Sequence, residues 1–269
     1  MQHLSKTRKQ LYARLSSKKM RDKIGLFLVE GRKSVADMAS FGGFVVECLI
    51  AAPSAVGVAQ EISERIGGNA SGSPEVFEAT MAEMREISNL SDTPDLVGVC
   101  RLPERRPEDE ILREPLPAGL YMALDGVQDP GNLGTIIRTA HWMGIRRIFA
   151  SPDTVDLYNP KVVQSTMGSM AAVEVDYVDL CRLADRNSHL PLAGLQLEGD
   201  NIYSTPLPAS AIIVMGSEGH GISEALKPMI NLPLTIPPVD PAEHPESLNV
   251  AIASAITLSC FRNPGLNRS

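Results

Sequence analysis

Short apolar runs alternate with stretches of helical period along the whole chain. In the first hundred residues the runs at 26–29 (LFLV), 45–50 (VVECLI), 76–79 (VFEA) and 96–102 (LVGVCRL) predict strands. Helices are predicted from Ser5 to Lys23 and around 32–40, 54–66 and 80–88. From residue 120 the strands become more apolar, at 120–125, 146–151, 173–178, 191–197, 211–216 and 232–237. Near-continuous apolar strands separated by helices imply a parallel sheet covered on both faces. Between the halves, 103–119 (PERRPEDEILREPLPAG) combines four prolines with dense charge and no apolar period, the composition of a flexible, solvated tether. The pattern therefore predicts a small α/β domain over 1–102, a linker over 103–119 and a larger α/β domain over 120–269.

Composition sharpens this only in places. With 269 residues and 43% hydrophobic content the chain can build a substantial core. No run approaches 18 uncharged apolar residues, and the basic N-terminus has no apolar run behind it, so neither a membrane span nor a signal peptide is expected and the sequence reads as cytoplasmic. Cys48, Cys100, Cys181 and Cys260 lie far apart, which predicts buried free thiols rather than disulfides or a metal site. The net charge of −7 conceals an asymmetry: residues 1–33 hold ten Lys or Arg against Asp22 and Glu30, a local balance of +8, leaving −15 on the other 236 residues. Such a segment can track phosphates or be a plain solvated face.

Three segments of the second half are richer in Gly, Asn, Pro and carboxylate than packing requires. In 124–140 (LDGVQDPGNLGTIIRTA) a strand ends at Asp125, Asn132 is placed to cap a helix, and Arg138 sits among apolar residues, where it needs a buried partner or a ligand phosphate. There is no Gly-Lys-Ser/Thr, so this is not a P-loop. In 212–223 (IIVMGSEGHGIS) a buried strand enters a Gly-rich turn carrying Glu218, either a solvated charge or the partner of Arg138; the position late in the domain argues against a dinucleotide fingerprint. In 232–258 a proline-rich loop leads to Ser247, expected to open a long helix with Asn249 just inside it. The small residues Ala251, Ser254 and Ala255 of that helix suit a tight two-fold contact with a second copy.

Taken together, DPGNLGTIIRTA, VMGSEGHGIS and ESLNVAIASAI resemble the three signature motifs of the SpoU-type (TrmH-like) RNA 2′-O-ribose methyltransferases of the SPOUT superfamily, over about residues 120–262. KKMRDKIGLFLVEGRKSV and ISNLSDTPDLVGV are similar to the small substrate-binding domain that often precedes that catalytic domain. Two features depart from the pattern: the loop 237–246 (PPVDPAEHPE) is longer than usual, and Gln164 stands where many relatives carry Arg.

The resemblance implies a parallel α/β domain with a deep trefoil knot, preceded by a ribosomal-protein-like RNA-binding domain. It also implies S-adenosylmethionine as cofactor, a homodimer, an RNA partner (rRNA ahead of tRNA, with both left open), and no metal. By matching position, Gly216, Ile236 and Leu248, with Leu195, would line the cofactor pocket through backbone groups. Arg138 would act on the ribose hydroxyl or its phosphate, with Asn132 and Glu218 fixing the guanidinium and Ser247 and Asn249 completing the ribose pocket. The implied activity is RNA ribose 2′-O-methylation. A catalytically silent RNA-binding protein on the same scaffold and a nucleotide-dependent small-molecule enzyme are the alternatives.

Overall fold

The computed structural model of the chain describes residues 2–67, 72–240, 242–243 and 245–263. The chain divides into two compact units, Met1–Arg105 with Asp156–Ala172, and Arg106–Val155 with Val173–Ser269.

The first unit opens with β1 (Gln2–His3), α1 (Lys6–Tyr12), a 3-10 turn at Ala13–Ser16 and α2 (Lys18–Ile24). Then follow β2 (Leu26–Glu30), α3 (Arg32–Phe41), β3 (Val46–Ala51), α4 (Val56–Gly67), β4 (Glu75–Glu78), α5 (Met81–Ile87) and β5 (Leu96–Arg101). The sheet is mixed, in the order β1-β4-β3-β5-β2, with β5 antiparallel to both β2 and β3. One core cluster joins the sheet to the helices, among its members Tyr12, Leu15, Ile50, Phe77, Met84 and Ile87. The start of α5 has a local cause: Thr80 and Glu83 form a reciprocal capping box, whose bonds to Thr80 hold the Glu83 carboxyl below its usual range.

The predicted helix 5–23 is broken in the middle. Ser17 is extended, and the Arg21 guanidinium turns inward to the carbonyls of Leu15 at 2.9 Å and Ser16 at 2.8 Å and to the Asp156 carboxylate at 2.6 Å. Arg21 is only 3% exposed, so one charge of the basic segment is a core element of this unit. Four more are paired locally: Arg8 with Glu75, Lys9 with Glu83 and Glu86, Arg32 with Asp95, and Lys33 with Asp37. Lys6, Arg14, Lys18, Lys19 and Lys23 are exposed and form no ion pair among the described residues.

The second unit begins with α6 (Glu108–Ile111), β6 (Leu120–Asp125), α7 (Pro130–Trp142) and β7 (Arg147–Ala150). The chain then contributes α8 (Pro160–Thr166) to the first unit. There Gly168, at φ +83°, approaches α3 so closely that a Cβ would lie 2.6 Å from the Asp37 Cβ. The second unit resumes with β8 (Glu174–Tyr177), α9 (Leu180–Arg186), β9 (Leu192–Asn201), β10 (Ala211–Gly216), β11 (Leu232–Thr235) and α10 (Val250–Arg262). Its sheet is parallel throughout, in the order β11-β9-β10-β6-β7-β8. Five of the six strands coincide with the predicted runs to within a residue or two at either end, and β9 extends four residues further.

Residues 106–119 are not a free tether. Arg106 bonds Glu174 and Asp176 of β8, and Arg182 of α9 bonds Glu108 and Asp109. The Leu116 amide donates to Asn187 at 2.7 Å, and Leu112 and Leu116 enter the core cluster with Phe149, Leu183 and Val214. The dense charge that resembled a solvated linker is the complement of charges on β8 and α9.

Helices α7 and α10, thirteen residues each, lie side by side in the same direction. Asn249 meets Asn132 at their N-terminal ends, and Arg262 donates to the Gly144 carbonyl at 3.0 Å near their C-terminal ends. Of the three small residues, Ala251 and Ser254 are buried inside the protomer and Ala255 is half-buried, so the first two are used internally. The outward face of α10 instead carries Ile252, with the Leu248 side chain exposed just before it and Trp142, 88% exposed, at the end of α7. Among the described residues, no helix is long and apolar enough to cross a membrane, and no group of three or more His, Cys, Asp or Glu could hold a metal.

Candidate functional site

The three polar segments meet where parallel strands end, the edge at which open α/β sheets present ligand-binding loops. Strands β6 and β10 are adjacent and end in register, Asp125 opposite Gly216. The loop after β6 leads into α7, whose N-cap is Asp129, not Asn132: the Asp129 carboxylate accepts from the Asn132 amide at 2.9 Å. With Pro130 at the first turn this is a well-formed start. Because Asp129 does the capping, the Asn132 carboxamide is free to project from the first turn.

A corresponding correction applies to the third segment. The N-cap of α10 is Asn249, whose Oδ1 accepts from the Ala251 and Ile252 amides at 2.9 and 3.3 Å, while Ser247 lies exposed two residues before it. Its Nδ2 donates to Asn132 Oδ1 at 3.0 Å, and Asn132 Nδ2 donates to Glu218 Oε1. One residue from each segment thus joins a directional chain, with every N–H pointing toward the Glu218 carboxylate.

Glu218 rides on a tight turn after β10. Ser217 and Gly221 exchange both backbone hydrogen bonds, at 3.0 and 2.9 Å, and the His220 amide reaches the Ser217 hydroxyl at 3.2 Å. The turn folds back onto Gly216 so closely that a Cβ there would lie 2.1 Å from the Gly221 carbonyl carbon.

Arg138, two turns into α7, differs from expectation. It is exposed, and its guanidinium forms no ion pair or hydrogen bond among the described residues; the carboxylate expected to hold it, Glu218, is bonded to Asn132. The flanking residues Ile136 and Ile137 are buried while Arg138 is turned outward by the 100° step of the helix. Gln164 is exposed on α8. Of the long loop 237–246, residues 241 and 244 lie outside the described residues.

The residues expected around the cofactor come from three adjacent strands. Leu195 follows the last β9 residue paired with β10, Gly216 ends β10, and Ile236 follows β11. The β9–β11 ladder passes from Gly194 opposite Pro233 directly to Asp200 opposite Leu234, so Leu195 to Gly199 loop out of it. Within this bulge the Leu197 carbonyl accepts from the Thr235 hydroxyl at 3.1 Å. Half-buried Leu195 and Ile236 beside this irregular stretch of backbone fit an adenine ring, which takes apolar contact together with backbone hydrogen bonds. Leu248 is half exposed next to the Asn249 cap.

Sequence reasoning missed Asp129 and Asp125. Asp129 was legible as Asp followed by Pro, a helix-start signature masked by the polar residue three positions later. No local signal marks Asp125, whose bonding partner lies almost a hundred residues away.

Comparisons with known proteins identify what the chain as a whole is similar to. Residues 119–259 match the SpoU rRNA Methylase family and residues 8–98 the MRM3-like substrate binding domain. The chain is 28% identical over 262 residues to 23S rRNA (guanosine(2553)-2′-O)-methyltransferase RlmP of Bacillus subtilis, covering 93% of this chain and 94% of that one. A solved structure from Porphyromonas gingivalis, assigned to the TrmH family of RNA methyltransferases, superposes with a TM-score of 0.78 at 35% identity, covering 96% and 98% of the two chains. An rRNA methyltransferase of Sinorhizobium meliloti with S-adenosylmethionine bound gives 0.79 at 26% identity, covering 97% and 96%. With its three polar segments joined through Asn132, Glu218 and Asn249 at the end of a parallel sheet, the chain belongs to the SpoU rRNA methylase family.

Proposed function

We propose that this protein transfers a methyl group from S-adenosylmethionine to a ribose 2′-hydroxyl of RNA, with ribosomal RNA as the substrate class. The observation that carries the reading is the chain of bonds linking Asn249, Asn132 and Glu218. Family membership and the ribosomal RNA enzymes among its relatives support the substrate.

S-adenosylmethionine supplies an electrophilic methyl on a sulfonium when it is bound. Leu195, Gly216, Ile236 and Leu248 would hold it, chiefly through backbone groups. The nucleophile is a weak one, so the protein must position the hydroxyl and manage the charge that appears on its oxygen as the proton leaves. Arg138 is free for this task. A guanidinium, which holds its protons tightly, is a costly base but a strong donor to phosphate and alkoxide. It therefore holds the phosphate 3′ to the target ribose and stabilises the developing oxyanion, the proton passing to that phosphate or to water. Asn132 and Asn249 keep the Glu218 carboxylate in place, and Ser247 completes the ribose pocket.

In this reading the second unit carries the chemistry and the first recruits RNA through Lys6, Arg14, Lys18, Lys19 and Lys23, whose charge is not neutralised locally. The second unit is the one that would carry the family's deep trefoil knot. The protein works as a homodimer in the cytoplasm, and exposed Leu248, Ile252 and Trp142 are the apolar surface that supports the dimer.

The test is single-turnover methylation of total RNA from cells lacking the protein, followed against pH for wild type and Arg138→Lys. A loss of at least two orders of magnitude, the scale of a removed transition-state donor, is expected across the profile. Near-normal activity in the lysine variant rules out the clamp.

A further inference from the structure

The turn that carries Glu218 is exposed and contains three glycines within residues 216–221, so something must hold it. Two contacts fix its exit. Ile222 is buried in the core cluster of the second unit, beside Gly194 of β9. At the next residue, the Ser223 amide donates to the Asp125 carboxylate at 2.7 Å. Asp125 is only 8% exposed and ends β6, the strand hydrogen-bonded to β10, with Gly216 directly opposite. The turn is therefore pinned at its entry by the β10 ladder and at its exit by a carboxylate from the neighbouring strand.

From this geometry we propose that Asp125 is a positioning residue for the methyl-transfer site: it latches residues 217–223 through the Ser223 amide and so sets where Glu218, and through it the Asn132 carboxamide, stand. A carboxylate suits the task because an ionised acceptor makes a stronger bond to a backbone N–H than a neutral one. Asp125 itself touches no reacting group; it acts through the turn. The inference rests on the assignment of Glu218 to the site, made above.

Three variants of the full chain separate the outcomes. Asp125→Ala removes the acceptor, Asp125→Asn keeps a carbonyl oxygen in the same place, and Glu218→Ala tests the site assignment alone. The measurements are methyl transfer into total RNA from cells lacking the protein, at saturating S-adenosylmethionine, and amide hydrogen exchange over residues 217–223. For Asp125→Ala, exchange in that segment should rise roughly tenfold or more while the strands of the sheet stay protected, and the transfer rate should fall by a similar factor, the worth of one charge-assisted hydrogen bond. Asp125→Asn should recover most of both. A merely structural residue would lower protection across the whole sheet and would not be rescued in rate by the amide. Should Asp125→Ala fail to fold, the asparagine variant carries the test, and wild-type-like protection with an abolished rate would overturn the latch. Unchanged exchange and rate in Asp125→Ala, with activity abolished in Glu218→Ala, would also overturn it. Full activity in Glu218→Ala would overturn the site assignment instead.

Discussion

Asn249 uses the two ends of one carboxamide for different purposes: its Oδ1 caps α10 and its Nδ2 donates to Asn132 Oδ1 at 3.0 Å. Helix initiation and site assembly are thus the same event at this residue. Asn249→Asp keeps the cap and adds an anion at a helix N-terminus, but it removes the N–H and places like charge near Glu218. We expect thermal stability within about 1 kcal/mol of wild type and a large loss of methyl transfer, whereas Asn249→Ala should lose activity and about 0.5–2 kcal/mol of stability. An active aspartate variant would mean that the donor end is idle.

The basic segment divides into structural and free charges. Arg21→Ala should cost about 3–5 kcal/mol, because it strands the Asp156 carboxylate and two backbone carbonyls. Replacing Lys18, Lys19 and Lys23 together by Ala should change stability by less than about 1 kcal/mol in total and should weaken RNA binding, with a log–log salt slope reduced by up to about 0.7–0.9 for each phosphate no longer neutralised. Filter binding over a salt series checks this. Wild-type affinity and slope in the triple variant would make these lysines a plain solvated face.

If a homodimer uses the outward face of α10, Ile252→Asp should give a folded monomer in sedimentation velocity. Ala251→Glu, by contrast, places a charge inside the protomer and should unfold it. An Ile252→Asp protein that sediments like wild type would direct the search to another surface.

Burial pushes the Cys48 thiol up to about 11 and the Cys100 thiol up to about 12. At pH 8 a thiol reagent should therefore find Cys181, the half-buried one, before the buried Cys48, Cys100 and Cys260, which react on unfolding. In the unfolded chain these thiols ionise near 9, while in the fold they stay protonated. Their contribution is complete below pH 9 and is lost as pH rises toward 11–12. Urea midpoints should fall over that window, and replacing Cys48 and Cys100 by Ala should flatten the fall. An unchanged slope in the double variant would assign the loss to other groups.

The sequence by itself determined most elements and the three polar segments that the fold brings together. Strand positions follow from runs of apolar residues, because burial on both faces of a parallel sheet demands them, and this signal is local. The polar segments were legible for the same reason: Gly, Asn and carboxylate where a core would take none. What only the tertiary structure decided is which groups meet. Local pattern placed Ser247 and Asn132 at helix starts, yet Asn249 and Asp129 are the caps, since several residues near each start can cap and the competition is settled by what the side chain finds across space. Charge counts made Arg21 part of a basic arm and 103–119 a tether. Partners at Asp156, Glu174, Asp176 and Arg182 turned both inward, and such partners leave no trace in a local window. Asp125 and Ser223 are the same case, a bond spanning 98 residues that exists only because β6 and β10 lie side by side.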